Sequence, residues 1–201
     1  MTTDSPNLIV LAGPNGAGKS TAAPFLLRDR LAVSEFVNAD VIAQGLSGFD
    51  TSGAAIAAGR IMLGRLHDLA KRRIDFAFET TLASQGIART VRELQRAGYR
   101  FHVVFLWLPN PDMAVARVQD RVRLGGHSVP EETIRRRYER GLRNLFRLYI
   151  PLARTWAIYD NSTPAGPRPI VRGGTETTEE VIDAETWRLI QRAGARTPAP
   201  D

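Results

Sequence analysis

The sequence contains no cysteine, so neither disulfide bonds nor cysteine-bound metal can hold the fold together. No uninterrupted apolar run reaches the roughly 18 residues of a membrane span. Residues 1–7 lack the basic and then apolar order of a signal peptide, and no internal repeat is visible. We therefore expect one compact domain over residues 1–191, a disordered Ala- and Pro-rich tail over residues 192–201, and a cytoplasmic location.

Lysine contributes little to the positive charge of the chain. The 27 basic residues exceed the 21 acidic ones, giving a net charge of +6. All but two of them are arginines, and ten of these are concentrated between residues 117 and 154. A guanidinium pairs with two phosphate oxygens at once, which suits either nucleic acid or a phosphate-rich small molecule. Because the basic segment is not interleaved with aromatic residues, nucleic acid is the less favoured partner.

Short apolar segments alternate with segments of helical periodicity. We predict five strands, at residues 7–12, 36–39, 75–79, 99–108 and 155–159. The predicted helices cover residues 19–30, 52–73, 86–97, 111–124 and 130–148, and a last helix over residues 175–193 would pack Val181, Ile182, Trp187 and Leu189. This alternation predicts an α/β fold with a five-stranded, mainly parallel sheet and helices on both faces.

A glycine-rich segment joins the first predicted strand to the first predicted helix. It consists of Gly13, Pro14, Asn15, Gly16, Ala17, Gly18, Lys19, Ser20 and Thr21. This is the pattern of a P-loop, whose glycines let backbone N–H groups surround an anion at a helix N-terminus. We expect the segment to bind ATP, with Lys19 on the β- and γ-phosphates and Ser20 on Mg²⁺.

Two carboxylates follow predicted strands at the sheet edge where ligands of open α/β folds bind. Asp40 comes just after the second strand, where it can act as the base for an attacking hydroxyl or simply cap a helix. Glu79 ends the third strand and can hold Mg²⁺ through water or bind the acceptor. Thr80 and Thr81 are candidate substrate contacts, although ordinary β-propensity explains them as well.

Arginines flank a glycine break at residues 125–126 between two predicted helices. Arg117 and Arg121 lie one turn apart before the break, and we predict that Arg117 binds the nucleotide and that Arg121 stabilises the transferred phosphoryl group. Residues 117–137 are therefore a candidate small helical lid. The arginines after the break recur at helical spacing and are interpreted mainly as a solvated face.

Two further polar features follow or interrupt predicted elements. His127 lies in the glycine break, and we interpret it as a loop residue rather than a catalytic one. Residues 160–162, Asp-Asn-Ser, follow the last predicted strand. They are either a contact to adenine or a polar turn.

The sequence resembles the zeta toxin family of P-loop kinases over about residues 7–162. The resemblance lies in the order of the phosphate loop, Asn38-Ala39-Asp40, Phe78-Glu79-Thr80-Thr81, Ala97-Gly98-Tyr99 and the arginine segment. Members of this family phosphorylate the 3'-hydroxyl of the sugar in UDP-N-acetylglucosamine, using ATP and Mg²⁺. The resemblance implies that Lys19 binds the phosphates, Asp40 is the catalytic base, Glu79 and Thr81 lie near the sugar, and Arg121 belongs to the lid. It also implies an antitoxin protein as a candidate partner.

Two positions depart from the family pattern. The toxins carry a substrate-binding glutamate in the helix before the third strand, whereas residues 52–73 contain no glutamate. The toxins also have a second lid arginine where this chain has His127. Either Arg137 substitutes for that arginine, or the lid works differently.

Three hypotheses about function follow. The leading one is an ATP-dependent kinase, a phosphotransferase with an alcohol group as acceptor, for which UDP-N-acetylglucosamine is the first candidate. The second is a 5'-hydroxyl polynucleotide kinase or an RNA-binding ATPase. The third is a non-enzymatic, nucleotide-dependent switch.

Overall fold

The computed structural model describes residues 5–29, 33–47 and 51–195. The strands are β1 Asn7–Ala12, β2 Glu35–Val37, β3 Phe76–Thr80, β4 Arg100–Trp107, β5 Thr155–Asp160, β6 Arg168–Gly174 and β7 Thr177–Val181. The helices are α1 Lys19–Ala23, α2 Ala39–Leu46, α3 Thr51–Lys71, α4 Gln85–Arg96, α5 Pro111–Arg123, α6 Glu131–Asn144 and α7 Ala184–Ala195. Wider π-helical turns extend α1 over Pro24–Asp29 and α6 over Leu145–Tyr149. Among the described helices, none combines the length and apolarity needed to cross a bilayer.

The strands form one sheet in the order β2-β3-β1-β4-β5-β6-β7. The first five strands in this order are parallel, whereas β6 and β7 are antiparallel to their neighbours. Parallel neighbours bring the carboxyl ends of β1, β2 and β3 to one edge of the sheet. The chain segments that follow these three strands therefore meet there.

Helices cover both faces of the sheet, as the sequence predicts. One face packs Phe76, Phe78, Phe101 and Phe105 against apolar residues of α3, α4 and α7. The other face packs Ile9, Leu11, Ala77 and Leu106 against α1 and α5. Each side of a central strand is thus buried, which explains why β1 and β3 are continuous apolar runs rather than alternating ones.

Helix α6 crosses the carboxyl edge of the sheet and contributes to both apolar layers. Its first half buries Ile134 and Tyr138 on the α1 and α5 side, and Leu142 near its end joins the opposite layer. Asn144 Nδ2 donates to the Leu82 carbonyl at 2.7 Å, inside the core. Through this bond α6 fixes the segment that follows β3.

Helix α6 also packs closely on that segment at Gly141. A Cβ built on Gly141 would lie 2.2 Å from the Thr81 carbonyl oxygen, a backbone atom that cannot move aside. We expect Gly141→Ala to destabilise the protein by roughly 1–3 kcal/mol, the cost of overpacking a filled site. Urea unfolding measures this free energy.

The matched control is Gly64→Ala in the exposed part of α3, where a Cβ would meet no atom within 4 Å. There the better helix propensity of alanine should stabilise the protein by about 0.5–1 kcal/mol. Equal effects of the two substitutions would contradict the close packing of α6 on Thr81.

The prediction of five strands is wrong by two, because β6 and β7 extend the sheet beyond β5. All five residues of β7 are exposed, so the strand carries no apolar alternation that a sequence reading could detect. It is held by backbone pairing with β6 and by the bond from Arg172 Nε to Glu180 Oε2 at 2.6 Å. Cross-strand ion pairs of this kind supply stability without burial.

The last helix begins later than predicted, at Ala184, because the preceding residues form the β6–β7 hairpin. Of the four residues expected to pack, Trp187 is buried, whereas Val181, Ile182 and Leu189 are exposed. Helix α7 also continues through Ala195, which corrects the expected disorder of residues 192–195. The remainder of that expected tail, residues 196–201, and residue 30 of the first predicted helix lie outside the described residues.

Candidate active site

The glycine-rich segment forms a tight loop between β1 and α1. Gly16 and Gly18 have φ angles of 75° and 76°, in the left-handed region that only glycine enters readily. A Cβ on Gly16 would lie 2.8 Å from the Ala114 carbonyl, and one on Gly18 would lie 2.7 Å from Asn161 Nδ2. Both glycines are therefore required by the backbone and by close neighbours, and the resulting concave loop suits an anion.

The loop is supported from behind by the segment that follows β5. Asn161 Nδ2 donates to the Ala17 carbonyl at 2.7 Å. Arg117 donates from Nη1 to the Asn161 carbonyl at 2.7 Å and from Nη2 to the Ser162 carbonyl at 2.8 Å. The Arg117 guanidinium thus holds the segment whose Asn161 side chain supports the loop. A direct contact of Arg117 with nucleotide stays a prediction.

Lys19 lies at the start of α1 and is buried. Its Nζ donates to the Gly13 and Pro14 carbonyls, each at 3.0 Å. Burial lowers the pKa of Lys19, and the nearby carboxylates of Glu79 and Asp40 oppose that shift. The ammonium group therefore sits in a poorly solvated position beside the loop, where it interacts strongly with any added negative charge.

Ser20 and Glu79 form the next contact at this edge. The Ser20 hydroxyl donates to Glu79 Oε2 at 2.9 Å, and Asn38 Nδ2 donates to Ser20 Oγ at 3.4 Å. Glu79 is 8% exposed. Burial raises the pKa of Glu79, whereas Lys19 and the Ser20 hydrogen bond act to lower it. The strand-end carboxylate thus points into the site and has the partners that its burial requires.

Asp40 lies in the first turn of α2, across the site from the loop. The N-cap of this helix is Asn38, whose Oδ1 accepts bonds from the backbone N–H of Asp40 at 2.8 Å and of Val41 at 3.3 Å. The alternative that Asp40 serves as the helix cap is therefore wrong. Its carboxylate is half exposed and takes no part in the cap. Asparagine is a favoured N-cap residue, so Asn38 in the sequence could have indicated this cap.

Arg121 and His127 reach the same place from the connection between α5 and α6. Arg121 Nη2 donates to the His127 carbonyl at 3.1 Å and lies 3.3 Å from His127 Nε2. The same ring nitrogen lies 3.6 Å from Asp40 Oδ2. Arg121 Nε is buried with no hydrogen-bond partner among the described residues. His127, which we predicted to be only a loop residue, therefore lies between the side chains of Arg121 and Asp40, both predicted to be catalytic.

Arg137, in α6, is close enough to the site for its charge to act there. Its positive charge acts on the side chains of both Lys19 and His127, lowering the pKa of each. Arg121 acts on the same two groups in the same sense. That Arg137 substitutes for the second lid arginine stays a prediction.

Thr80 and Thr81, the threonines predicted as substrate contacts, lie where β3 ends and the following turn begins. Thr80 Oγ1 accepts a bond from the Leu82 N–H at 3.2 Å, and the Thr81 carbonyl lies under Gly141. Thr21, in α1, is exposed. Asp160 accepts a bond from the Ser162 N–H at 2.8 Å and pairs with Arg168. Residues 160–162 therefore form a polar turn, the second of the two interpretations offered for them.

A cavity of about 740 Å³ lies elsewhere, on the sheet face toward the amino ends of the strands. Its polar side chains pair with one another: Asn7 with Asp75, and His102 with Asn7 and Thr155. None of the predicted site residues lines it. We place the candidate active site at the phosphate loop instead, because the glycine cradle and the converging charges are there.

Comparisons with solved structures agree with this fold. A crystal structure of AvrRxo1-ORF1:-ORF2 with ATP matches with a TM-score of 0.77 and 14% identity, over 98% of this chain and 66% of that chain. A structure of the PezAT chromosomal toxin-antitoxin system of Streptococcus pneumoniae matches with a TM-score of 0.63 and 15% identity, over 96% of this chain and 87% of that chain. At such identities the likeness concerns the fold alone. The chain thus spans just under two thirds of the first of these proteins, and it shares the fold of both.

Sequence comparisons give a nearer relationship. An uncharacterised protein of Haemophilus influenzae is 31% identical over 130 residues, which make up 65% of this chain and 91% of that protein. Residues 8–142 match the family described as AAA domain (AAA_33), and this span includes the phosphate loop, Asp40, Glu79, Arg121 and His127. Because the match covers more than half of the sequence, the chain belongs to the AAA domain family.

Proposed function

We propose that the protein is an ATP-dependent kinase that phosphorylates a hydroxyl group of a small molecule. The observation that carries the proposal is the convergence of Lys19, Glu79, Asp40 and Arg121 at the carboxyl edge of the sheet. Ser20 bonds to Glu79, both Arg121 and Asp40 lie against His127, and the charges of Asp40 and Arg121 act on both Lys19 and Glu79. A loop for phosphates alone would suit any nucleotide-binding protein. A free carboxylate facing that loop adds a base for an acceptor hydroxyl.

The residues at this edge fit ATP as a substrate. The glycine cradle presents backbone N–H groups at the N-terminus of α1, and Lys19 supplies a buried positive charge beside it. Arg121 and Arg137, in α5 and α6, are close enough for their charges to act at the same place. In this proposal they neutralise the charge that develops on the transferred phosphoryl group. A cytoplasmic location, where ATP is available, is part of the same proposal.

Mg²⁺ fits the oxygen donors of the site. This ion prefers oxygen ligands and is commonly held by one or two protein groups together with substrate phosphates. Ser20 and Glu79 offer a hydroxyl and a carboxylate whose oxygens lie 2.9 Å apart. Across residues 5–29, 33–47 and 51–195, no group of three or more His, Asp or Glu could hold a metal alone, so nucleotide phosphates would complete the ligand set. When bound, the ion supplies charge neutralisation on those phosphates.

Asp40 is the general base in this mechanism. Its carboxylate accepts the proton of the acceptor hydroxyl while the hydroxyl oxygen forms a bond to the γ-phosphorus. The bond from that phosphorus to the β–γ bridging oxygen breaks, and ADP leaves. Asp40 is suited to this role because Asn38 caps α2 and leaves the Asp40 carboxylate free.

UDP-N-acetylglucosamine is the first acceptor to test, because of the resemblance to the zeta toxin family. Helix α3 contains no glutamate, whereas the toxins bind the sugar nucleotide with a glutamate in this region. Other hydroxyl-bearing molecules therefore belong in the same experiment. Of the structures that share this fold, one contains AvrRxo1-ORF1 together with ORF2 and another belongs to a toxin-antitoxin system. We therefore also propose an antitoxin-like protein as a candidate partner.

The test is an acceptor screen with the purified protein. ADP release from Mg²⁺ and ATP is measured without acceptor, with UDP-N-acetylglucosamine, with other sugar nucleotides and sugars, and with a 5'-hydroxyl oligonucleotide. We expect ADP release that depends on one small acceptor, together with a product heavier by one phosphoryl group in mass spectrometry. Phosphorylation of the oligonucleotide would favour a polynucleotide kinase. Binding of ATP without turnover on any acceptor would favour a nucleotide-dependent switch.

A further inference from the structure

The connection between α5 and α6 is folded back onto the end of α5. The Gly125 N–H donates to the Val122 carbonyl at 2.9 Å, and the Gly126 N–H donates to the Arg121 carbonyl at 2.9 Å. A Cβ on Gly126 would lie 2.5 Å from Arg121 Cγ. The tight turn therefore brings the next residue, His127, over the Arg121 side chain.

Arg121 holds His127 in place by donating from Nη2 to the His127 carbonyl. Its side chain is 16% exposed, whereas that of Asp40 is 52% exposed. The ring is thus enclosed, and the ring nitrogen Nε2 faces the more exposed carboxylate of Asp40 at 3.6 Å. The contact joins two elements that are distant in sequence, α2 and the α5–α6 connection.

We propose that His127 is a positioning residue that joins the α5–α6 connection to the Asp40 carboxylate, so that the base is correctly oriented only when this connection is docked. This inference rests on the proposed kinase function. His127 acts through Asp40 and touches neither reactant. Because the residue also holds Arg121 through its carbonyl, docking brings the base and the arginine to the site together.

The charges around His127 agree with this arrangement. The groups that face it are Asp40 from α2, Arg121 from α5 and Arg137 from α6. Burial, Arg121 and Arg137 lower the pKa of His127, whereas Asp40 raises it. Together these groups and burial hold the pKa of His127 below its ordinary value, which favours a neutral ring, and a neutral ring carries its proton on only one of its two nitrogens. With that proton on Nε2, the ring turns a donor toward the Asp40 carboxylate without neutralising it, and Arg121 then donates to the His127 carbonyl rather than to the ring.

Kinetic measurements on three His127 variants test the proposal. His127→Gln places an amide nitrogen near the position of Nε2 and should retain most of the activity. His127→Phe keeps the ring volume but has no nitrogen, and it should lower kcat by about tenfold to a hundredfold, since small misplacements of a catalytic group have effects of this size. His127→Ala should behave like His127→Phe, with KM for ATP changed less than kcat. His67→Ala, on the exposed face of α3, is the control.

Full activity of His127→Phe would overturn the proposal. So would equal losses in the Gln and Phe variants, because these would indicate a role in packing alone.

A second measurement tests the contact without any acceptor. The chain has three histidines, so the imidazole signals can be assigned by substitution and followed by NMR as the pH is varied. In Asp40→Asn the pKa of His127 should fall further, because an attractive charge is lost, while the pKa of His102 at the other edge should not move. An unchanged pKa of His127 would overturn the inference. Absence of turnover on every acceptor together with this pKa change would contradict the kinase function but not the contact.

Discussion

Lys19→Met is expected to lower acceptor-dependent ATP turnover by about 10²–10³-fold, the size of effect seen when one charge-stabilising donor is removed from a transition state. Lys19 is buried beside the phosphate loop, with Nζ 3.0 Å from two loop carbonyls. Methionine has a similar length but no charge, so the loop keeps its packing and loses its ammonium group. Steady-state ADP release with the best acceptor measures the effect.

The same substitution should not weaken the folded protein. Burial lowers the pKa of Lys19 below its ordinary value of 10.5, so the charged form destabilises the folded state. This cost is present at neutral pH and disappears as the pH rises toward 10.5. Removing the charge should therefore leave the free energy of unfolding at pH 7 unchanged or higher, as measured in urea without nucleotide.

Lys71 provides the matched control, since Lys19 and Lys71 are the only lysines. Lys71 is exposed in the last turn of α3, far along the chain from the loop. Lys71→Met should retain turnover and the rise in melting temperature that ATP binding produces. If Lys19→Met also retained both, the assignment of the loop as the phosphate site would be wrong.

Asp40→Asn is expected to lower kcat by about 10²–10⁴-fold, the range for loss of a general base. The amide keeps the shape of the side chain but cannot accept the hydroxyl proton. KM for ATP should change much less, because the contacts that form the phosphate loop do not involve this side chain. A parallel loss of ATP affinity would instead assign Asp40 to the nucleotide.

The stability of Asp40→Asn separates catalysis from folding. Asn38 still caps α2, so the variant keeps its helix cap and loses a first-turn carboxylate, whose interaction with the helix dipole is worth about 0.3–1 kcal/mol. Asp68→Asn, on the exposed side of α3, makes the same chemical change away from the site. It should leave kcat unchanged. Wild-type kcat in Asp40→Asn would remove Asp40 from the mechanism.

The structure agreed with the sequence most closely where one local pattern dictates one backbone conformation. The glycine-rich loop is such a case, since positive φ angles and close neighbours at Gly16 and Gly18 leave little choice of residue. The central strands could be predicted from continuous apolar runs, because helices cover both faces of these strands. The hairpin of β6 and β7 has neither signal. Its second strand is exposed and charged, and it owes its conformation to pairing with β6.

The sequence by itself determined the glycine-rich loop between β1 and α1, the α/β class, and the positions of Asp40 and Glu79 at the ends of strands, because each follows from local spacing relative to a buried strand. Tertiary structure alone decided which polar groups meet. In the folded chain Arg117 bonds to the backbone after β5, and Asn38 rather than Asp40 caps α2. His127 Nε2 lies 3.6 Å from Asp40 Oδ2, although the two residues are 87 positions apart in sequence. The physical reason is that such contacts depend on how α2, α5 and α6 pack at one edge of the sheet, and the packing of distant elements has no signature in the residues between them.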